Sequence, residues 1–162
     1  MRSKKAQSFV ELGTGMIVLL PLVLGAIDIA FIGVGASIND AVCRDAARAA
    51  SAGTPAQKVK GTRKLGAATE PFKRALKVLK TQAPANASVS ISDNMDIEEK
   101  LEEDAPPEEV GGSVVGEISV RTTCSVVPPF QLQMFSGPVT LSAVHVLPYT
   151  YAVAPKLPKE EP

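Results

Sequence analysis

The sequence predicts an α+β protein in which a long N-terminal transmembrane helix continues into a small extracytoplasmic domain with a second helix and a short antiparallel sheet. Three observations predict it. From Leu12 to Ile38 the only charged residue is Asp28. Further on, Leu65, Ala68, Phe72, Leu76 and Leu79 recur at three- and four-residue steps, the helical period. Finally, Val114 to Val127 alternates, with Ile118, Val120, Thr122, Cys124 and Val126 on one face and Glu117, Ser119, Arg121, Thr123 and Ser125 on the other.

As a helix, Leu12 to Ile38 would reach about 40 Å, against a hydrocarbon core of about 30 Å. Arg2, Lys4 and Lys5 precede it without an acid, whereas Asp40, Arg44, Asp45 and Arg48 after it cancel. The positive-inside rule then places the N-terminus in the cytoplasm and the rest outside. A cleaved secretory signal would also begin with a basic stretch, but its apolar core is about 7–15 residues. Gly13, Gly15, Gly25, Gly33 and Gly35, with Ala26, Ala30 and Ala36, offer small surfaces on which helices pack closely in lipid. Pro21 lacks an N–H and is expected to kink or loosen the helix. Asp28 either meets a partner or lies at the outer interface.

The helix is expected to continue through Ala52 and stop at Gly53-Thr54-Pro55, with Cys43, Ala46, Ala47 and Ala50 on one small face. A second helix is expected over 56–81, or from Thr69 with Pro71 in its first turn. Eight basic residues between Lys58 and Lys80 face only Glu70, which suits either a solvated face or anionic lipid or nucleic acid. Ala87 to Ser92 reads as a short strand. Asp93 to Gly112 carries nine acids against Lys100 and is expected to be a mobile, solvated loop, which could meet the basic helix. Its spacing does not match an EF-hand calcium loop. Val139 to Val153 reads as a strand broken or bent at Pro148, after a loop holding Phe130, Leu132, Met134 and Phe135. The tail from Pro155 to Pro162 is expected to be loose.

The chain has 17 basic and 17 acidic residues, so no overall charge favours nucleic acid. Two cysteines and one histidine cannot assemble a zinc site, and no cofactor motif is present. Cys43 and Cys124, in an oxidising compartment, are expected either to form a disulfide or to remain buried thiols. The bond would close a loop of about eighty residues, for about 4–5 kcal/mol in the chain-entropy account. His145 stands in an apolar strand, and no nucleophile motif accompanies it, so the chain is not expected to be an enzyme.

The stretch Lys4-Lys5-Ala6-Gln7-Ser8-Phe9-Val10-Glu11-Leu12 resembles the processing site of type IV-like prepilins. With Leu20-Pro21-Leu22, Gly25-Ala26-Ile27-Asp28 and Asp45-Ala46-Ala47-Arg48-Ala49-Ala50, residues 2–52 resemble the TadE-like family, minor pilins or pseudopilins of the tight-adherence (Tad, Flp) pilus system. The resemblance implies cleavage between Ala6 and Gln7, with Ala6 where the family has Gly, and Glu11 as the fifth mature residue. It divides the chain into a leader (1–6), a membrane and projecting helix (7–52) and a small domain (53–154). The implied partners are other pilin-like subunits, a prepilin peptidase and inner-membrane platform proteins, besides membrane lipid. Glu11, one turn into the apolar helix, would pair with a neighbour's new α-amino group and set register, or else face the basic leader at the interface. Without processing, the chain would be a single-pass periplasmic scaffold or binding protein; with a signal cleaved further on, a secreted soluble one.

Overall fold

The computed structural model describes residues 2–84, 88–107, 110–131 and 137–155, with side chains from residue 10 onward. Ala87, Glu108, Glu109, Leu132, Met134, Phe135 and the tail from residue 156, which figured in the expectations above, lie outside the described residues, as do the side chains of Ala6 and Gln7.

One helix, α1 (Arg2–Ser51), runs unbroken for 50 residues, about 75 Å. It passes through Pro21 as continuous α-helix, so the expected loosening is limited to the hydrogen bond that Pro21 cannot donate. Gly53 ends it at φ +117°, a backbone conformation that a side chain would strain.

Beyond α1 come β1 (Gly61–Lys64), α2 (Glu70–Gln82), β2 (Val89–Ile91), β3 (Asp96–Leu101), β4 (Gly112–Val126) and β5 (Val139–Val153). The five strands form one antiparallel sheet. β5 pairs with β4 along its whole length, Gly112 opposite Val153 to Val126 opposite Val139. β3 and β2 share the other edge of β4 in succession, and β1 flanks β3. Pairing continues through Pro148, opposite Glu117, so β5 is not broken there.

Two expectations need correction. Helix α2 starts after the N-cap Thr69 with Pro in its first turn, so only the later start is right. Residues 61–64, expected in the helix, form β1 instead. Nor is 93–112 only a loop: Asp96–Leu101 is a strand that buries Ile97, Glu99 and Leu101. The high charge hid a two-residue period. Its partner is the basic segment, so Arg63 lies opposite Glu99 and Lys64 opposite Glu98. Opposite charges on facing strands favour that pairing.

Both helices lie on one face of the sheet. Val42, Cys43, Ala46, Ala47 and Ala50 of α1 pack with Ile97, Ile118 and Val120 below and with Ala75 and Leu79 of α2 beside them. The small side chains let α1 approach closely. Arg74 of α2 donates from Nε to Ala49 O (3.0 Å) and from a terminal nitrogen to Ala50 O (2.9 Å). It thereby caps the open carbonyls of α1 at the negative end of the helix dipole. At least this one member of the basic cluster is structural rather than solvated.

Candidate functional site

The candidate site is α1 itself, which changes character along its length. Every residue from Val10 to Val23 is exposed, including Leu12, Met16, Ile17, Val18, Leu19, Leu20 and Leu22. A helix that is apolar all round is covered in its working environment, by protein or by lipid. α1 is long and apolar enough to cross a membrane. Residues 8–27, ahead of the fully buried Asp28, would extend about 30 Å, the thickness of a hydrocarbon core.

From Asp28 onward one face of α1 is docked. Asp28 is fully buried, and its carboxylate accepts the backbone N–H of Phe130 at 3.0 Å. Pro128 and Pro129 have no N–H to give, so Phe130 supplies the first donor after them. Sequence reasoning left Asp28 between a partner and the interface; its partner is within the chain. Next, Gly35 lies against Val126: a Cβ there would collide with Val126 Cγ2, and would stand 3.4 Å from Cγ1. One turn on, the Thr122 hydroxyl donates to Asn39 Oδ1 at 2.9 Å, with both residues buried. At the edge, His145 Nε2 and Asp40 Oδ1 are 2.8 Å apart, joining β5 to α1. His145 therefore ties strand to helix, a role that its setting in an apolar strand did not reveal.

Of the two expectations for the cysteines, the structure has the second: both thiols are free and buried. Cys43 Sγ donates to Val120 O (3.2 Å), whereas Cys124 Sγ points to Gly35 O (3.8 Å), two turns of α1 away. Along the helix, the levels of residues 35 and 43 are about 12 Å apart, beyond the reach of an S–S bond. Burial pushes the Cys124 thiol up, which keeps it protonated and unreactive.

Of the other residues singled out, Gly13 and Gly33 face open space, Gly25 is half-buried, and Pro21 and Glu11 are exposed on the bare part of α1. Gly35, by contrast, packs directly against β4. On the outward side of the docked part, Ile29 and Val34 are exposed beside Gly33. Among the described residues, no group of His, Cys, Asp and Glu is placed to hold a metal ion.

The feature that sequence reasoning missed altogether is Glu99, a carboxylate in the core with 1% exposure. It accepts the N–H of Ala56 (3.0 Å), the N–H of Gln57 (3.1 Å) and the hydroxyl of Tyr149 (2.8 Å). The segment leaving α1 is thereby pinned to the sheet. Its signal was an acid at the inward step of an alternating run, Ile97-Glu98-Glu99-Lys100-Leu101, masked by its charged neighbours.

Burial first, then the hydrogen bond to Glu99 and the Glu99 charge, push the Tyr149 phenol well above its ordinary range. A raised phenol contributes stability that is intact below about pH 10, the unfolded value, and is lost as pH rises beyond it. The melting temperature should therefore fall more steeply above about pH 10 in the wild-type chain than in Tyr149→Phe. Parallel pH profiles for the two chains would refute this.

No protein-family model, no curated protein and no solved structure matches the chain. The functional reading therefore rests on the molecule itself.

Proposed function

We propose that the protein is a minor pilin or pseudopilin of a Tad-like pilus assembly or secretion system, acting by helix-mediated assembly rather than by catalysis. The observation that carries this reading is the two-part α1: an apolar segment long enough to cross a bilayer and exposed from Val10 to Val23, continuous with a docked half that leaves Ile29, Gly33 and Val34 uncovered. Such a helix can rest in lipid and later exchange lipid for the helices of other subunits. The chain sits in a bacterial inner membrane with its N-terminus cytoplasmic and its domain periplasmic, and can pass into a surface pilus. Its partners are other pilin-like subunits, the prepilin peptidase, platform proteins and membrane lipid. The Ala6-to-Glu11 lead-in supports processing by the peptidase, and Glu11 then pairs with the new N-terminus of a neighbour.

Mass spectrometry of the mature N-terminus tests this reading. A chain that begins at Gln7 supports it. An intact Met1 favours the alternative, an unprocessed single-pass scaffold, and a start beyond about residue 25 indicates a cleaved signal. In the same preparation, Glu11→Ala should be processed yet fail to assemble; normal assembly would overturn the register role.

A further inference from the structure

The end of the domain nearest the bare part of α1 has a composition that the assembly reading does not use. Among its described residues, 122–131 and 137–144 carry no charge. Within that stretch the chain leaves β4 through Pro128 and Pro129 and presents Phe130, which is 46% exposed. Among the described side chains Phe31 and Phe72 are half-buried, so Phe130 is the one phenylalanine offered to the surroundings. Its height on the molecule is fixed. The buried Asp28 carboxylate holds the Phe130 N–H, and Asp28 is the first fully buried residue of α1 among those described. Beneath it, Phe31 and Ile32 of α1 pack on Val89 and Val126, so this end of the domain is tied to the helix on two sides.

We propose that this rim, led by Phe130, lies in the headgroup–acyl boundary of the bilayer that α1 crosses, so that the domain is seated on the membrane rather than held above it. The proposal rests on residues 8–27 being the span. If the hydrocarbon core ends near residue 27, a group bonded to Asp28 lies at the interface by geometry alone. An uncharged, aromatic-tipped edge is what that boundary accepts, because aromatic side chains favour it and charges do not have to be desolvated there. The opposite end of the domain is of another kind: around Val59 it carries Lys58, Lys60 and Asp104, which belong in water.

The chain contains no Trp, so single tryptophans report position without further changes. Phe130→Trp, Leu20→Trp and Val59→Trp, each in the full chain, are reconstituted in phosphatidylcholine–phosphatidylglycerol vesicles with and without brominated acyl chains. The reporters at 20 and 130 should each lose roughly half their fluorescence to bromine, with blue-shifted emission at 130, while that at 59 is unaffected. Quenching at 20 without quenching at 130 overturns the seating and leaves the span intact. Quenching at neither overturns the span as well. Quenching at 59 along with 130 means the domain adsorbs without a preferred side, which also overturns the proposal, as does a blue shift at 130 without quenching, which assigns the cover to protein. Should Phe130→Trp not fold, Phe130→Cys carrying a spin label, read by oxygen against nickel-chelate accessibility, separates the same outcomes. Cys43 and Cys124 are buried and do not compete for the label.

Discussion

Replacing Glu99 by alanine is expected to destabilise the full chain by about 3–5 kcal/mol. Three donors converge on this carboxylate: two consecutive backbone N–H groups, from Ala56 and Gln57, and the Tyr149 hydroxyl. Alanine leaves all of them in the core without an acceptor. Hydrogen bonds to an ionised acceptor are worth about 1.5–3 kcal/mol each, and they do not add fully because the segment can relax toward water once released. Glu99→Gln retains one acceptor but turns an amide toward existing donors, and should cost about 1–2 kcal/mol. Thermal melts in detergent micelles, followed by far-ultraviolet circular dichroism, would show a drop of roughly 10–20 °C for alanine. A drop below about 3 °C would mean that the carboxylate is not a structural group.

The second large effect is at Gly35. Here α1 comes so close to β4 that a Cβ would enter the Val126 side chain, and valine on a strand has little room to turn. Gly35→Leu should therefore cost about 3 kcal/mol or more through overpacking. Gly35→Ala should cost about 1–2 kcal/mol, because its Cβ alone forces α1 or Val126 to shift and the better helix propensity of alanine offsets only part of that. Gly33 gives the contrast. Two residues away, with nothing within 4 Å of where its Cβ would be, Gly33→Leu should leave the fold unharmed or firmer by about 0.5–1 kcal/mol. If α1 packs on other subunits through this side, the same substitution should abolish assembly while the monomer melts normally. A stable, fully assembling Gly33→Leu chain would remove this face from the subunit contact. Equal melting of the Gly35 and Gly33 variants would contradict the docked geometry.

Much of the scaffold could be read from the residues because periodicity and burial agreed. β4 alternates cleanly, and its predicted inner residues Ile118, Val120, Cys124 and Val126 are buried. β5 begins and ends as expected, and α2 starts where Thr69 and Pro71 signal it. Two departures share one cause: a charge does not always mean solvent. β3 alternates as β4 does, but its inward step includes Glu99, so composition outweighed pattern. Arg74 reads as one more surface cation, yet it is consumed by the end of α1. Asp28 and Asn39 sit in an apolar run with nothing local to name their partners, which lie about a hundred and about eighty residues downstream. The choice between disulfide and buried thiols was not legible for a geometric reason: sharing one interface says nothing about sharing one level along it.

The way α1 meets the sheet also determines how the molecule carries load. Its ties at Gly35, Asn39 and Cys43 follow one another along the axis of the helix while their partners Cys124, Thr122 and Val120 run the opposite way along β4. Asp28 is held by Phe130 beyond the strand, and Asp40 by His145 of β5. This is a lap joint. Tension on the membrane end of the rod slides one surface along the other and strains every tie together, instead of peeling them in sequence. With its far end gripped by Arg74, the rod should withstand a pull along its axis far better than one across it.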